Sequence, residues 1–285
     1  MAAMSDKLLA YAAQRGVTVP PPPYPAEVLG ELAASVYLHP VRAARKMPRE
    51  LGYLETARRL ALPTSSGELA AWQWGEAERP LVGLLHGWEG HGAQLGAFAA
   101  PLVAAGFRVL TFDAPGHGES PGEECSAPLI GRLLLEMEKQ LGPFHSFVAH
   151  SMGAAAAAMV ATHGAQVRGM VFLAPPLSQL DRIERMILRS QLAPDAAVVF
   201  RAAVARRAGL SLEESDMHYV ARISPCPLLA LHDPADTDAA YAATAGFVQV
   251  WRGARLVPCP GRGHFRLLST PDVVRQGVEF LAALK

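Results

Sequence analysis

Cysteine is scarce in this chain. Three residues in 285, Cys125, Cys226 and Cys259, are too few for a disulfide framework, and their spacing forms no CxxC pair for zinc or redox chemistry. The expectation is reduced thiols in a cytoplasmic protein. Net charge is missing as well. The 26 Lys and Arg residues balance 26 Asp and Glu, which leaves no broad basic surface to neutralise phosphates and argues against nucleic-acid binding. No apolar run reaches the ~18 to 20 residues of a membrane span; the longest, Ala154 to Ala161, is far shorter. Near the N-terminus, Asp6 precedes an apolar stretch (Leu8 to Ala13) too short for a signal peptide. There is no HExxH, and no GxGxxG behind a strand, so neither a metal nor an organic cofactor is expected. Charged residues make up only 18% against 51% hydrophobic. That balance excludes global disorder and suits one large domain with at most a small appendage.

The residues up to 56 differ from the rest. Residues 20–25 read PPPPYP, an extended spacer. Val28, Leu29, Leu32 and Val36 follow at helical spacing and stop before Pro40. The stretch Arg42 to Arg49 is basic. The expectation is a helical arm packed on the body with a solvated basic face. The alternative use of that face is contact with an anionic membrane or a partner.

From residue 57 to 285 the pattern turns to alternating strands and helices. Arg58 to Pro63 and Leu69 to Trp74 flank a cluster of turn formers and read as a hairpin. Short apolar runs recur at Leu81 to Leu85, Phe107 to Phe112, Phe144 to Ala149, Met170 to Leu173, Leu228 to Leu231 and Arg255 to Val257. Helix-like stretches separate most of them: Gln94 to Ala105, Leu129 to Leu141 and Met152 to His163, with Pro271 to Leu284 closing the chain. This predicts an α/β fold of about eight strands, mostly parallel and covered on both faces. Between Leu173 and Leu228 no strand is legible, and Leu180 to Arg189 and Ala196 to Ala208 read as helices. A short helical cap over the sheet, at about 177–225, is expected there. Met186, Ile187, Leu192, Val198, Val199 and Phe200 are apolar enough to line a pocket or to pack the cap down.

The strongest chemical signal is Ala149-His150-Ser151-Met152-Gly153, directly after a strand and opening an Ala-rich helix. A serine on that sharp turn presents its hydroxyl at the top of the sheet beside the helix N-terminus. Ala149 stands where the GxSxG pattern has glycine, and a serine N-cap is the plainer alternative. A serine nucleophile needs a base. His163 lies at the far end of its own helix, roughly 15 Å along the axis, and His218 lies in the cap. His264, in a Gly-rich loop after the last strand, is placed to reach the serine. His232 and three aspartates, Asp233, Asp236 and Asp238, follow the strand at Leu228 to Leu231. Asp236 at the turn tip is the favoured acid, and Asp181 is a minor alternative. Oxyanion donors are also needed. Gly87 lets the chain turn so that the Trp88 N–H points at the site, and the Met152 N–H is the second donor. His86 reads as a structural hydrogen-bonder, and Trp88 as a pocket wall or a core residue.

HGWEG (86–90), DAPGHGES (113–120), AHSMG (149–153), HDPAD (232–236) and GRGHF (261–265) together resemble, in order, the α/β-hydrolase fold superfamily, in its serine-hydrolase branch of bacterial esterases and lysophospholipase-like enzymes. The resemblance covers residues 57–285 and leaves out the arm. It implies a triad of Ser151, Asp236 and His264, an acyl-enzyme on Ser151, no cofactor and a small acyl ester as substrate. Asp113 and the PGHG segment would be structural. Relatives that use an aspartate nucleophile are set aside by Ser151. The same triad serves thioesterases, acyltransferases, carbon–carbon hydrolases and perhydrolases, so the residues leave the bond type open. A binding protein that keeps the fold without catalysis is the third reading. The short cap suggests a small to medium acyl chain.

Overall fold

The computed structural model describes residues 5–42, 46–176, 178–224 and 226–285, with no account of the Ala161 and Thr162 side chains. The chain opens with α1 (Asp6–Arg15), capped by Ser5, whose Oγ accepts from the Leu8 amide, and ended by Gly16 in the left-handed region. After the Pro-rich spacer, α2 (Ala26–Leu38) buries Leu29, Leu32 and Val36 as their spacing predicts. The basic tract follows; its Ala43, Ala44 and Arg45 lie outside the described residues. Arg42 donates to the carbonyls of Gly118 (3.1 Å), Ser120 (2.7 Å) and Gly122 (3.0 Å). Lys46 pairs with Glu119 and lies 4.7 Å over the Trp72 ring. These two cations thus bind the 117–122 loop, and Arg42 does so from an exposed position. The next helix, α3 (Pro48–Glu55), has no apolar periodicity and was not expected from the sequence; Pro48 in its first turn and Glu50 bonding back to the Met47 amide start it.

The hairpin β1 (Arg58–Thr64) and β2 (Gly67–Trp74) forms as expected. Then come β3 (Leu81–Leu85), α4 (Ala99–Ala104), β4 (Arg108–Phe112), α5 (Ala127–Leu141), β5 (Phe144–His150), α6 (Met152–Thr162) and β6 (Gly169–Leu173). The predicted helix from Gln94 to Ala105 is split: a 3-10 segment, Gly92–Phe98, precedes α4. Close packing accounts for it, because a Cβ on Gly92 would sit 2.8 Å from Thr111 Oγ1 and one on Gly96 2.4 Å from the Tyr53 ring. Three helices fill the gap in the strand pattern: α7 (Gln179–Ser190), α8 (Pro194–Ala208) and α9 (Met217–Ile223). The cap limits Leu177 and Pro225 lie outside the described residues. The chain closes with β7 (Leu228–His232), α10 (Tyr241–Val250), β8 (Ala254–Pro258), the single turn α11 (Gly263–Arg266) and α12 (Pro271–Ala282).

One eight-stranded sheet runs in the order β1-β2-β4-β3-β5-β6-β7-β8. β1 and β2 are antiparallel, as is the β2–β4 pair; every later pairing is parallel. The middle strands β3, β4, β6 and β7 are buried along their whole length, as parallel strands covered on both faces must be. On one face Ile130 and Leu133 of α5, Ala156 and Ala157 of α6, Val220 of α9 and Phe247 of α10 form the core. On the other, Phe98, Leu102 of α4 and Val273 and Leu281 of α12 do so. A third apolar cluster sits apart from the sheet. Leu8 and Ala12 of α1, Leu29, Leu32 and Val36 of α2, Ile183 of α7 and Phe200 and Val204 of α8 are buried together. A Cβ on Gly30 would lie 2.5 Å from Val199 Cβ, so α2 and α8 meet at nearly backbone distance. Of the apolar cap residues singled out in the sequence, Ile187 and Leu192 join this cluster and Val198 is exposed. All three cysteines are buried. Burial pushes the Cys125 thiol up to about 12 and that of Cys226 up to about 11, so neither is a thiolate at neutral pH.

Candidate active site

Ser151 sits between the end of β5 and the start of α6, with φ +47° and ψ −120°. That is a strained conformation for a residue with a side chain, and it is the backbone of a strand-to-helix elbow. Close packing enforces it. The Ser151 amide donates to the Leu173 carbonyl (3.1 Å). A Cβ on Gly153 would lie 2.6 Å from the Leu85 carbonyl oxygen, and one on Gly87 would lie 3.0 Å from Ser151 Cβ. Ala149, two residues earlier, is fully buried between Leu85 and Phe172 in register, and the sheet accommodates its methyl.

The loops after β7 and β8 bring Asp236 and His264 together. His264 Nδ1 lies 2.8 Å from Asp236 Oδ2. A carboxylate only accepts, so Nδ1 carries the proton and Nε2 is left as the basic nitrogen. Asp236 is buried, and burial opposes its ionisation. The amides of Ala239 (3.0 Å) and Asp238 (2.8 Å) on Oδ1, together with His264, outweigh burial and hold its carboxyl below the ordinary range. Asp233 has a different task. Its carboxylate accepts from the Ala235 and Gly263 amides and ties the acid loop to the His264 loop. Asp238 is exposed.

One member of this group carries no signal of its own in the sequence. His232, the buried last residue of β7, has Nε2 3.1 Å from both Asp236 Oδ2 and the Ala239 carbonyl. Both are acceptors, so Nε2 holds the proton, and bare Nδ1 takes the Thr244 hydroxyl (2.7 Å). Burial lowers its pKa and keeps it neutral. Asp236 Oδ2 thus faces two imidazoles. His150 is a second hidden neighbour. Its ring packs at 4.6 Å from that of His264, tilted by 55°, and Nε2 donates to the His264 carbonyl (3.1 Å). Burial pushes it down to about 3.

The loop after β3 faces the elbow. Neither the Trp88 nor the Met152 amide takes part in a loop or cap hydrogen bond among the described residues. His86 donates from Nδ1 to the Gly87 carbonyl (2.7 Å) and accepts the Ala114 amide at Nε2 (3.0 Å), the structural task read from the sequence. Asp113 accepts the Gly92 and Glu119 amides at 2.7 and 2.8 Å, and His117 accepts the Glu89 amide at 3.0 Å. Burial pushes His86 down to about 4 and His117 to about 3. His163 and His218 stay elsewhere: His163 bonds the Met159 carbonyl of its own helix, and His218 lies on α9 beside Asp216.

Ser151 and His264 line one cavity of about 450 Å³. No hydrogen bond joins them among the described residues, and substrate-free sites commonly hold this contact loose. Trp88 and Phe265 wall the cavity, and Arg182, Arg185, Met186 and Arg189 of α7 roof it. The arm contributes as well, through Tyr11, Arg15, Val36 and Tyr37. Helical spacing in α2 signalled a buried face; no sequence signal said that this face meets the cap or that its edge borders the serine.

A family model for serine aminopeptidases of the S33 type matches residues 76–261, well over half of the chain. The chain belongs to this family of α/β-hydrolases. No curated protein sequence matches it. Among solved structures, a membrane phospholipase A described as a bacterial virulence factor is similar over 97% of this chain and 96% of its own, at 19% identity and a TM-score of 0.63. An esterase from Pyrococcus furiosus is similar over 87% of this chain and 97% of its own (16% identity, TM-score 0.62). A monoacylglycerol lipase from Paleococcus ferrophilus is similar over 76% of this chain and all of its own (22% identity, TM-score 0.58). At these identities the likeness is one of fold. The S33 α/β-hydrolase fold carries a hydrolase here, and no described helix is long and apolar enough to cross a membrane.

Proposed function

We propose that the chain hydrolyses carboxylic esters through an acyl-enzyme on Ser151, with His264 as base and Asp236 as the acid that orients it. The observation that carries this reading is the Asp236–His264 pair, at 2.8 Å, opening onto the same cavity as a serine held at φ +47°. His264 Nε2 takes the Ser151 proton as Oγ attacks the carbonyl, and Asp236 offsets the imidazolium charge. The N–H groups of Trp88 and Met152 receive the oxyanion. His264 then gives its proton to the leaving alkoxide; it next takes a proton from a water as that water attacks the acyl carbonyl, and returns it to Ser151 Oγ as the acyl–Oγ bond breaks and the acid leaves. The arm (1–56) and the helical insertion (about 177–225) act as one roof over the hydrolase domain (57–285). Thioesters suit the same groups, since the acyl-enzyme is identical and only the leaving group differs. An aminopeptidase, as the family's description has it, would have to admit a cationic α-amino group to a cavity bordered by Arg182, Arg185 and Arg189, which favours the ester reading.

A fluorophosphonate probe and 4-nitrophenyl esters of graded chain length test the proposal. Labelling at Ser151 and ester turnover are expected, and Ser151→Ala abolishes both. Wild-type protein that neither labels nor turns over any ester or thioester would sink the reading.

A further inference from the structure

The roof of the cavity carries a charge pattern that ester cleavage by itself does not use. Arg182, Arg185 and Arg189 stand at i, i+3 and i+7 on α7, within about 60° of one another on the helical wheel, and all three line the cavity that holds Ser151 and His264. Among the described residues none of the three is in an ion pair. Arg182 lies 5.8 Å over the Tyr37 ring, and Arg185 and Arg189 are exposed. On the other side of α7, Glu184 is already paired with Arg201 at 2.6 Å. Arg15, the fourth arginine at the cavity, is neutralised by Glu89 at 2.6 Å. Among the described residues the one carboxylate that lines the cavity is Asp238, and it belongs to the loop of Asp236.

Three like charges on one helix face repel each other, and here they border one concave space, which concentrates their field. Guanidinium groups match carboxylate and phosphate in a paired, planar geometry. Asp238 gives the cavity polarity: an anionic group is disfavoured beside the Asp236 loop and favoured beneath α7. The zero net charge of the whole chain hides this local excess.

We infer that the cavity takes an ester bearing an anionic group, carboxylate or phosphate, held by Arg182, Arg185 and Arg189 while the scissile carbonyl lies at Ser151. This rests on the ester-hydrolase reading and narrows its substrate class. The recognition is electrostatic and comes from α7, an element separate from those that carry Ser151 and His264. The anion is therefore a group apart from the scissile carbonyl, on the acyl or the alcohol part.

The test compares charged and neutral esters of matched length. In one arm, mono-4-nitrophenyl adipate is set against 4-nitrophenyl hexanoate. In the other, 1-hexanoylglycerol 3-phosphate is set against 1-hexanoylglycerol. Wild type should favour the anionic member of at least one pair in kcat/KM, and the arm with the larger preference identifies the anion. In Arg185→Ala/Arg189→Ala the anionic-to-neutral ratio should fall about tenfold, as expected for two charge-assisted contacts at a partly wet site, and it should fall with added salt in wild type. The ratio corrects for any general loss of active protein. A wild-type preference for the neutral member in both pairs, or a ratio the double variant leaves unchanged, overturns the inference. Calorimetric binding of the adipate monoester to Ser151→Ala separates the two readings. Binding that the arginine substitutions remove, with no ester cleaved by wild type, would keep the anion site and discard the serine chemistry. No binding alongside normal turnover of neutral esters would do the reverse.

Discussion

Asp236 holds two histidines on one carboxylate oxygen, and they do different things there. His264 reaches the cavity; His232 is sealed inside at the end of β7, clamped by Thr244 on one nitrogen and by Asp236 and Ala239 on the other. A buried neutral imidazole that donates to the carboxylate limits how far Asp236 can swing, and with it the direction of the His264 ring. His232→Ala removes that donor, and it leaves the Ala239 carbonyl without its imidazole donor and the Thr244 hydroxyl without its imidazole acceptor. Small misplacements of a base are costly, so kcat for a neutral ester is expected to drop about ten- to a hundredfold with KM little changed. A variant with unaltered kcat would show that the amides of Ala239 and Asp238 suffice to fix the acid. The sequence singles out Ser151, Asp236 and His264, the proposed triad, because each sits in a local pattern: a serine between a strand and an Ala-rich helix, a turn of aspartates, a Gly-rich loop. His232 was read only as a histidine beside them. Its role depends on the loop folding back so that residue 236 meets residue 232, and local periodicity does not encode that contact.

At the scale of elements, the same division holds between what repeats locally and what meets across the fold. The parallel strands were legible because each is a short, fully buried apolar run. Of the helices, α2, α5, α6, α7, α8 and α12 are legible, as is α4 within a longer expected stretch; α1, α3, α9 and α10 are not. The larger gap concerns the arm. The helical face of α2 was visible in the sequence, but its partner was not: it packs on α8, and with α1, α7 and α8 it closes a separate apolar cluster. Gly30 is the tightest point of that contact, with Val199 2.5 Å from where a Cβ would stand. Gly30→Leu should therefore force α2 away from α8. Overpacking of this kind costs about 1 to 3 kcal/mol, measurable by urea unfolding. Because Val36 and Tyr37 of the same helix border the cavity, kcat/KM should fall as well, while fluorophosphonate labelling at Ser151, which depends on the elbow, persists. Loss of stability with kcat/KM intact would mean that α2 is only a brace.

On the scale of the whole molecule, three neutral histidines link the loops around the site to acid stability. His86 and His117 hold the loops after β3 and β4, and His150 lies against His264. Burial pushes them from the ordinary 6.5 down to about 4, 3 and 3. In the unfolded chain they bind protons near the ordinary value; in the folded protein they do so only far below it. Between those limits the unfolded state holds more protons, so stability is fully present above pH 6.5 and falls as the pH drops toward 4. Each histidine contributes up to about 1.4 kcal/mol per pH unit in that window, so the three together reach about 4 kcal/mol per unit at its steepest. The carboxyl of Asp236, held below its ordinary range, adds loss of the same sign at lower pH. Thermal unfolding followed from pH 8 to pH 4 should thus show a nearly flat Tm above 6.5 and a steep fall below it. His117→Gln, which keeps a side-chain acceptor for the Glu89 amide without an imidazole to protonate, should reduce that acid slope by about a third. A Tm that stays flat down to pH 4.5 would mean that these rings are reached by protons in the folded state, and that the polar loops around Ser151 are more open than their burial implies.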